Sequence, residues 1–254
     1  MILAIDIGNT NITIGCYDGE KLQFVSRMAS DKSRMEDQYA IELRDILDIY
    51  GVKAQKIEGS IISSVVPPLT TYIGRAVKKI TGTTPLLVGP GIKTGLNIRI
   101  DNPATLGADF VAGCVAALER YPCPCIVIDM GTATTIAVLD QHRSMIGGCI
   151  MAGVRISLEA LCARTAQLPQ IGLEAPPKVI GANTIDCMNA GAVFGTASMI
   201  DGMCDRIEQE LGAPCTVVAT GGLARDIVGH CRRPVELSET LLLDGLRMLF
   251  EKNQ

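Results

Sequence analysis

Two aspartates of this 254-residue chain stand in the same setting, 123 positions apart. Asp6 closes the apolar run Ile2-Leu3-Ala4-Ile5 and is followed by Gly8, Asn9, Thr10 and Asn11. Asp129 closes Cys125-Ile126-Val127-Ile128 and is followed by Gly131, Thr132, Thr134 and Thr135. A third apolar run, Cys215 to Ala219, leads into Thr220-Gly221-Gly222. A carboxylate at the end of a buried strand, a glycine that lets a ligand approach the backbone, and clustered hydroxyl and amide donors suit the phosphates of a nucleotide with a metal ion. Taken alone, the stretch Asp6 to Thr13 reads equally well as an ordinary polar hairpin. The repetition weighs against that. One Asp-x-Gly is common, whereas a whole strand-turn-strand unit recurring half a chain away argues for two similar half-domains. Two carboxylates with hydroxyl-rich turns point to phosphate and a cation rather than to acyl transfer. No nucleophile elbow occurs, and the only histidines, His142 and His230, do not support a Ser-His-Asp arrangement.

The composition is that of a folded chain, with 48% hydrophobic and 20% charged residues. A net charge of −4 disfavours a non-specific nucleic-acid surface. The N-terminal apolar run has no basic segment before it and is broken by Asp6, so a secretory leader is not expected. No stretch approaches the roughly 20 apolar residues of a membrane span. The ten cysteines include no C-x-x-C, so a zinc site is poorly supported. They read as small hydrophobes in a reducing compartment, and the expected location is the cytoplasm.

The elements that must position these turns follow from periodicity and punctuation. Each half opens with a hairpin, Ile2 to Cys16 and Cys125 to Leu139, and a third strand follows at Lys21 to Ala29 and at Ser144 to Ile150. A helix is expected from Asp31 or Ser33 to Gly51, and a buried strand over Gly59 to Val66. Another helix is expected from Pro67-Pro68 to about Gly82, then a short strand from Pro85 to Val88. Gly89 to Pro103 reads as a loop. Asn102 or Thr105 can cap a helix carrying Leu106, Gly107, Ala108 and Asp109, with Asp109 in its first or second turn on a small, apolar surface. Val154 to Gln167 reads as a helix with Leu158, Leu161 and Cys162 inward. A long helix from Asn183-Thr184 to Leu211 carries Gly191, Gly195 and Gly202, which imply close helix approach, within the chain or between subunits. The last helix spans about Ser238 to Lys252. The halves divide at 1–120 and 121–254, and the three glycine turns are expected to converge on a cleft between them.

Here the sequence resembles a known family. The motifs are Asp6-x-Gly8-Asn9-Thr10-Asn11, Gly107-Ala108-Asp109, Asp129-x-Gly131-Thr132-Ala133-Thr134-Thr135 and Gly147-Gly148. They continue with Ser157-Leu-x-Ala-Leu161, Arg164-Thr-Ala-Gln-Leu-Pro169, Gly181-x-Asn183-Thr184 and Thr220-Gly221-Gly222. In this order they are similar to type III pantothenate kinases, within the acetate and sugar kinase, heat-shock ATPase and actin superfamily, along essentially the whole chain. The resemblance implies an α/β fold of duplicated ribonuclease-H-like (actin-like ATPase) half-domains with an inter-domain nucleotide cleft. It implies ATP-dependent phosphorylation of pantothenate to 4′-phosphopantothenate, the first step of coenzyme A biosynthesis. Asp6, Ile7, Gly8, Asn9, Thr10, Asn11, Ile12 and Thr13 would bind ATP, together with Thr132, Gly221 and Gly222. Asp6 would lie near Mg2+, and Asp129 would bind a monovalent cation, K+ or NH4+. Asp109 would be the catalytic base, and Ile100, Gly107, Ala108, Asp109, Phe110 and Thr184 would meet pantothenate, Thr184 from the neighbouring subunit of a homodimer. No nucleic-acid or membrane partner is implied. Three positions depart from the family's usual pattern: Phe110 stands where Arg is usual, Ile100 where Tyr is usual and Ala152 where Pro is usual. A phenylalanine cannot pair with the substrate carboxylate as an arginine would. Two other readings therefore stand beside the first, a same-fold kinase for another small alcohol or sugar and a catalytically weak nucleotide-binding regulatory relative.

Overall fold

The computed structural model describes Met1–Gln254, which form two compact units. Unit 1 comprises Met1–Leu96, Asn102–Ala116 and Leu241–Gln254. Unit 2 comprises Asn97–Asp101 and Ala117–Thr240.

In unit 1 the strands are β1 (Ile2–Ile7), β2 (Asn11–Asp18), β3 (Lys21–Ala29), β4 (Gly59–Ser64) and β5 (Leu86–Leu87), in the sheet order β3-β2-β1-β4-β5. β1, β2 and β3 are antiparallel neighbours, while β4 lies parallel to β1, and β5 parallel to β4. The helices α1 (Glu36–Ile49) and α2 (Pro67–Thr81) pack together. Their residues Leu43, Leu47, Leu69 and Ile73 form one core with Leu3, Ile5 and Ile7 of β1. Each such fully buried side chain contributes about 1.5–3 kcal/mol. α2 begins as expected on Pro67-Pro68 and ends at Gly82, whose φ of 78° is the left-handed C-cap that glycine supplies. α1 starts later than Ser33. Asp31 turns back on itself, accepting from Ser33 N at 2.9 Å, and the helix opens where Gln38 accepts from Met35 N.

Unit 2 repeats this plan. Its strands β7 (Cys125–Met130), β8 (Ala133–Leu139), β9 (Ser144–Ala152), β10 (Thr216–Thr220) and β11 (Glu236–Leu237) are ordered β9-β8-β7-β10-β11. β8 and β9 are antiparallel, and β10 and β11 parallel, matching unit 1 strand for strand. The duplication expected from the two Asp-x-Gly turns is therefore one of topology. One extra strand, β6 (Asn97–Ile98), runs parallel to β9 at the sheet edge, with Asn97 Nδ2 donating to Ser144 Oγ at 2.8 Å. The sequence reads as loop there, because two residues carry no periodicity.

Three further helices qualify the sequence reading. α3 (Ala108–Arg120) starts beyond both candidate caps, because Asn102 caps only a single 3-10 turn, Pro103–Thr105, and Leu106 is extended. α4 (Val154–Arg164) is shorter than expected and buries Val154 alone. Leu161 is 42% exposed, so it does not point inward. α5 (Thr184–Leu211) matches expectation, with Asn183 accepting from Asp186 N at 2.9 Å and Gly212 closing it. A Cβ built on Gly191, Gly195 or Gly202 meets nothing within 4 Å, so no element of the chain makes the close approach expected there. α6 (Ala224–Val228) is brief, and α7 (Leu241–Lys252) packs in unit 1 against β1, β2 and β4.

Candidate active site

Asp6 is the penultimate residue of β1. Its register partners are Thr13 on β2 and Ser63 on β4. Ser63 Oγ donates to Asp6 Oδ1 at 2.9 Å. The carboxyl keeps a little surface, yet the atoms packed around it strip most of its water. That desolvation pushes its pKa up to about 7, against the Ser63 hydrogen bond and with help from the charge of Asp109.

The turn after Asp6 is held by Gly8 N donating to Asn11 O at 3.0 Å, and Asn9, Thr10 and Asn11 are exposed. Ile7 and Ile12 face each other across the hairpin with fully buried side chains, so only their main chain can meet a ligand. Ser30, which sequence reasoning missed, clasps the turn from the end of β3. Its Oγ donates to Gly8 O at 2.6 Å and its N donates to Thr10 O at 3.0 Å. The next residue is anchored in turn, since Tyr39 Oη donates to Asp31 O at 2.8 Å. A side-chain hydrogen bond of this kind contributes about 0.5–1.5 kcal/mol. With the ATP role that the family resemblance implies for this turn, Ser30→Ala is expected to raise KM for ATP about 3–10-fold with kcat nearly unchanged. Steady-state kinetics with ATP varied would expose the idea as wrong if KM stayed put.

At the head of α3, Asp109 Oδ1 accepts from Phe110 N at 2.9 Å. The carboxylate folds back over Gly107, where an added Cβ would overlap Oδ1. A side chain at 107 would turn Oδ1 aside, so glycine there leaves the carboxylate free to take this position. Burial raises the Asp109 pKa, opposed by the amides of Phe110 and of Asp109 itself. Ala108 and Phe110 beside it are half-buried. Gly107 to Phe110 belong to unit 1 with Asp6, whereas Ile100, also half-buried, lies on the segment Asn97–Asp101 of unit 2.

Unit 2 frames its own aspartate in the same way. Asp129 is the penultimate residue of β7, flanked by Thr135 on β8 and Thr220 on β10. Each aspartate therefore sits between two hydroxyl residues, one on each neighbouring strand. Gly221 has φ 96°, and a Cβ there would overlap Asp129 Oδ1 and lie 2.6 Å from Met130 N. Only glycine permits that approach. Gly153, at the start of α4, is pressed against the other turn, where a Cβ would come 2.7 Å from Gly131 O. The structure thus brings Asp129, Gly131, Thr132 and Gly221 together. α6, the helix after the Gly-Gly turn, has five residues, too few for a useful dipole. A pocket of about 360 Å³ adjoins the Gly-Gly turn, lined by Arg155, Leu158, Glu159, Cys162, Ile171 and Leu223. Thr184, the first residue of α5, is exposed. No three His, Cys, Asp or Glu side chains gather to cage a metal. A cation at either aspartate would complete its shell with main-chain, water or phosphate oxygens, as Mg2+ commonly does.

Two half-domains of one topology, each ending its first strand in an Asp-x-Gly turn, define an α/β protein of the actin-like ATPase fold. A family model for type III pantothenate kinase matches residues 2–206. The chain is 42% identical over 254 residues to the type III pantothenate kinase of an Exiguobacterium species, covering all of both chains. Among solved structures it is similar to a Baf family protein from Campylobacter jejuni, with TM-score 0.61 and 19% identity, covering 99% of this chain and 98% of that one. It is also similar to component A of the (R)-2-hydroxyglutaryl-CoA dehydratase of Acidaminococcus fermentans, with TM-score 0.57 and 15% identity, over 100% and 99% of the two chains. At those identities the structural likenesses speak for the fold alone. The chain belongs to the type III pantothenate kinase family.

Proposed function

We propose that this protein transfers the γ-phosphoryl group of ATP to the primary hydroxyl of pantothenate, giving 4′-phosphopantothenate, the first step of coenzyme A biosynthesis. The observation that carries the assignment is the desolvated Asp109, folded over Gly107 at the head of α3, in a chain that matches the family from end to end. Phosphoryl transfer asks the protein for alignment and charge neutralisation more than for covalent chemistry. Asp109 accepts the hydroxyl proton as the alkoxide oxygen attacks the γ-phosphorus in line, and ADP leaves. Gly107, Ala108 and Phe110 line the acceptor in unit 1, and Ile100 and Thr184 contribute from their own segments. The exposed Asn9, Thr10 and Asn11 receive phosphate oxygens, while Gly8, its amide bonded to Asn11 O, holds the turn's shape and leaves room for the ligand. Thr132 is the further phosphate contact that the family resemblance implies, and Gly221-Gly222, beside the pocket, is the adenosine contact.

The donor sets suit the ions. Asp6 offers a buried carboxylate with Ser63 and Thr13 nearby, fitting one protein ligand to a Mg2+ otherwise held by phosphates and water. That ion supplies charge neutralisation on the transferred group. Asp129 is framed by threonine hydroxyls and turn carbonyls, without thiol or imidazole, a donor set for a hard monovalent cation such as K+ or NH4+. A homodimer is supported by apolar side chains of unit 2 that stand in the open, Ile150 at 74% and Ile180 at 88% exposed, and by the uncrowded glycines of α5. Thr184 then reaches the neighbouring subunit's substrate. A cytoplasmic location suits a chain with ten cysteines and no disulfide. No helix is long and apolar enough to cross a membrane.

The experiment is ATP consumption by the purified protein with Mg2+ present. It should depend on pantothenate and rise on adding K+ or NH4+, in a species sedimenting at twice the 27.0 kDa chain mass. Phe110 makes a substrate panel the sharp control. A small alcohol or sugar turned over faster than pantothenate would overturn the acceptor assignment, and absence of turnover with every acceptor would leave a nucleotide-binding regulator.

A further inference from the structure

Helix α7 touches both elements that carry the aspartates of unit 1. Against α3 the contact is backbone to backbone. A Cβ on Gly245 would overlap the Ala112 carbonyl oxygen and lie 2.6 Å from its carbon. Ala112 is one helical turn beyond Asp109. Against the sheet, α7 is pinned three times. Tyr17 Oη on β2 donates to the buried Asp244 Oδ1 at 2.8 Å, next in sequence to Gly245. Leu243 lies 3.0 Å from a Cβ built on Gly15, which pairs with Ala4 of β1. The Phe250 ring covers Gly59, which pairs with Ile2 of β1. α7 is thus a spacer of fixed thickness between the sheet that carries Asp6 and the helix that carries Asp109 in its first turn.

We propose that Gly245 is a positioning residue for phosphoryl transfer: by letting α7 seat directly on the Ala112 carbonyl, it sets how far the Asp109 carboxylate stands from the Asp6 turn. The inference rests on Asp109 being the base. With α7 held to the sheet on its other side, a methyl group at 245 displaces α3. Clearing the overlap takes a shift on the order of 1 Å, and misplacement of that size at a reacting group costs about 10²-fold in rate. Neither Gly245 nor Ala112 belongs to the turns assigned to ATP, so nucleotide binding should be spared.

The test compares full-length wild type, Gly245→Ala and Val77→Ala, the last a buried α2 side chain remote from α3 and α7. Gly245→Ala is expected to lower kcat about 10–100-fold with KM for ATP within threefold. Val77→Ala should lower the melting temperature and leave kcat within twofold. The inference is overturned if folded Gly245→Ala keeps kcat within twofold of wild type, or loses no more than Val77→Ala at equal fraction folded. Should Gly245→Ala not fold, Tyr17→Phe removes the one hydrogen-bonded pin of the three without adding an atom, and it must lower kcat with KM for ATP unchanged or the inference falls. Asp109→Asn run alongside separates the two ideas. Turnover surviving in it removes the base assignment itself, whereas its loss beside a normal Gly245→Ala removes only the role of Gly245.

Discussion

Asp109→Asn is expected to lower kcat by about 10²–10⁴-fold while KM for ATP stays within about threefold. Asparagine fits the space over Gly107, and its Oδ1 can still accept from Phe110 N, so the head of α3 should keep its shape. What it cannot do is take the proton of the attacking hydroxyl. The pH profile adds a second signature. Burial raises the Asp109 pKa above the ordinary carboxylate range, and the base works only when deprotonated. Wild-type kcat/KM should therefore fall as pH drops through that raised value, and the residual rate of Asp109→Asn should lack this limb. The stability sign is opposite to that of a salt-bridged aspartate. A raised pKa means that the ionised form is disfavoured in the folded state, so Asp109→Asn should melt no lower than wild type at neutral pH. Undiminished turnover in the variant would sink the assignment.

Asp6→Asn is expected to cost about 10²-fold or more in kcat/KM for Mg·ATP, because the charge proposed to meet the metal is removed while the Ser63 hydrogen bond can persist. Its effect on stability should be just as plain. The Asp6 pKa is 3.8 for a free carboxyl and about 7 in the folded chain. Between those values the folded state holds the proton more tightly than the unfolded state, so stability falls as pH rises from 4 to 7. Above pH 7 the folded chain carries the whole penalty, on the order of 4 kcal/mol. Without divalent cations, the wild type should thus lose several degrees of melting temperature over that range, while Asp6→Asn stays flatter and melts higher at pH 8. Mg·ATP should restore part of the wild-type loss and none in the variant. Parallel melting curves for both proteins from pH 4 to 8 would refute this account. Because the charge of Asp109 raises the Asp6 pKa, the two substitutions should not add, and the double variant should gain less stability than their sum.

Much of this architecture is legible along the chain because it is local. The Asp-x-Gly hairpins, the Pro-Pro start of α2, and the Asn183 and Gly212 ends of α5 all depend on residues a few positions apart. Reading fails where a distant partner decides. Asn102 looks like a helix cap and is one, but for a single 3-10 turn; α3 waits until Ala108, where Asp109 can fold over Gly107. α4 carries leucines at helical spacing and still leaves Leu161 in the open, because no other element of the chain covers that side. The two-residue β6 exists only because β9 offers it an edge.

The same division runs through the site. Residue types and spacing alone determine that this chain has two Asp-x-Gly turns after apolar strands, a third glycine turn and an aspartate behind a glycine, since each is written in a few consecutive positions. Tertiary structure alone decided that Ser63 and Thr220 are the parallel-strand neighbours of Asp6 and Asp129, that Ser30 clasps the first turn, and that Gly245 seats α7 on α3. The physical reason is that hydrogen bonds, desolvation and steric overlap depend on distance in space. Strand register and helix docking bring together residues as far apart as Ala112 and Gly245, and nothing in the intervening sequence encodes that approach.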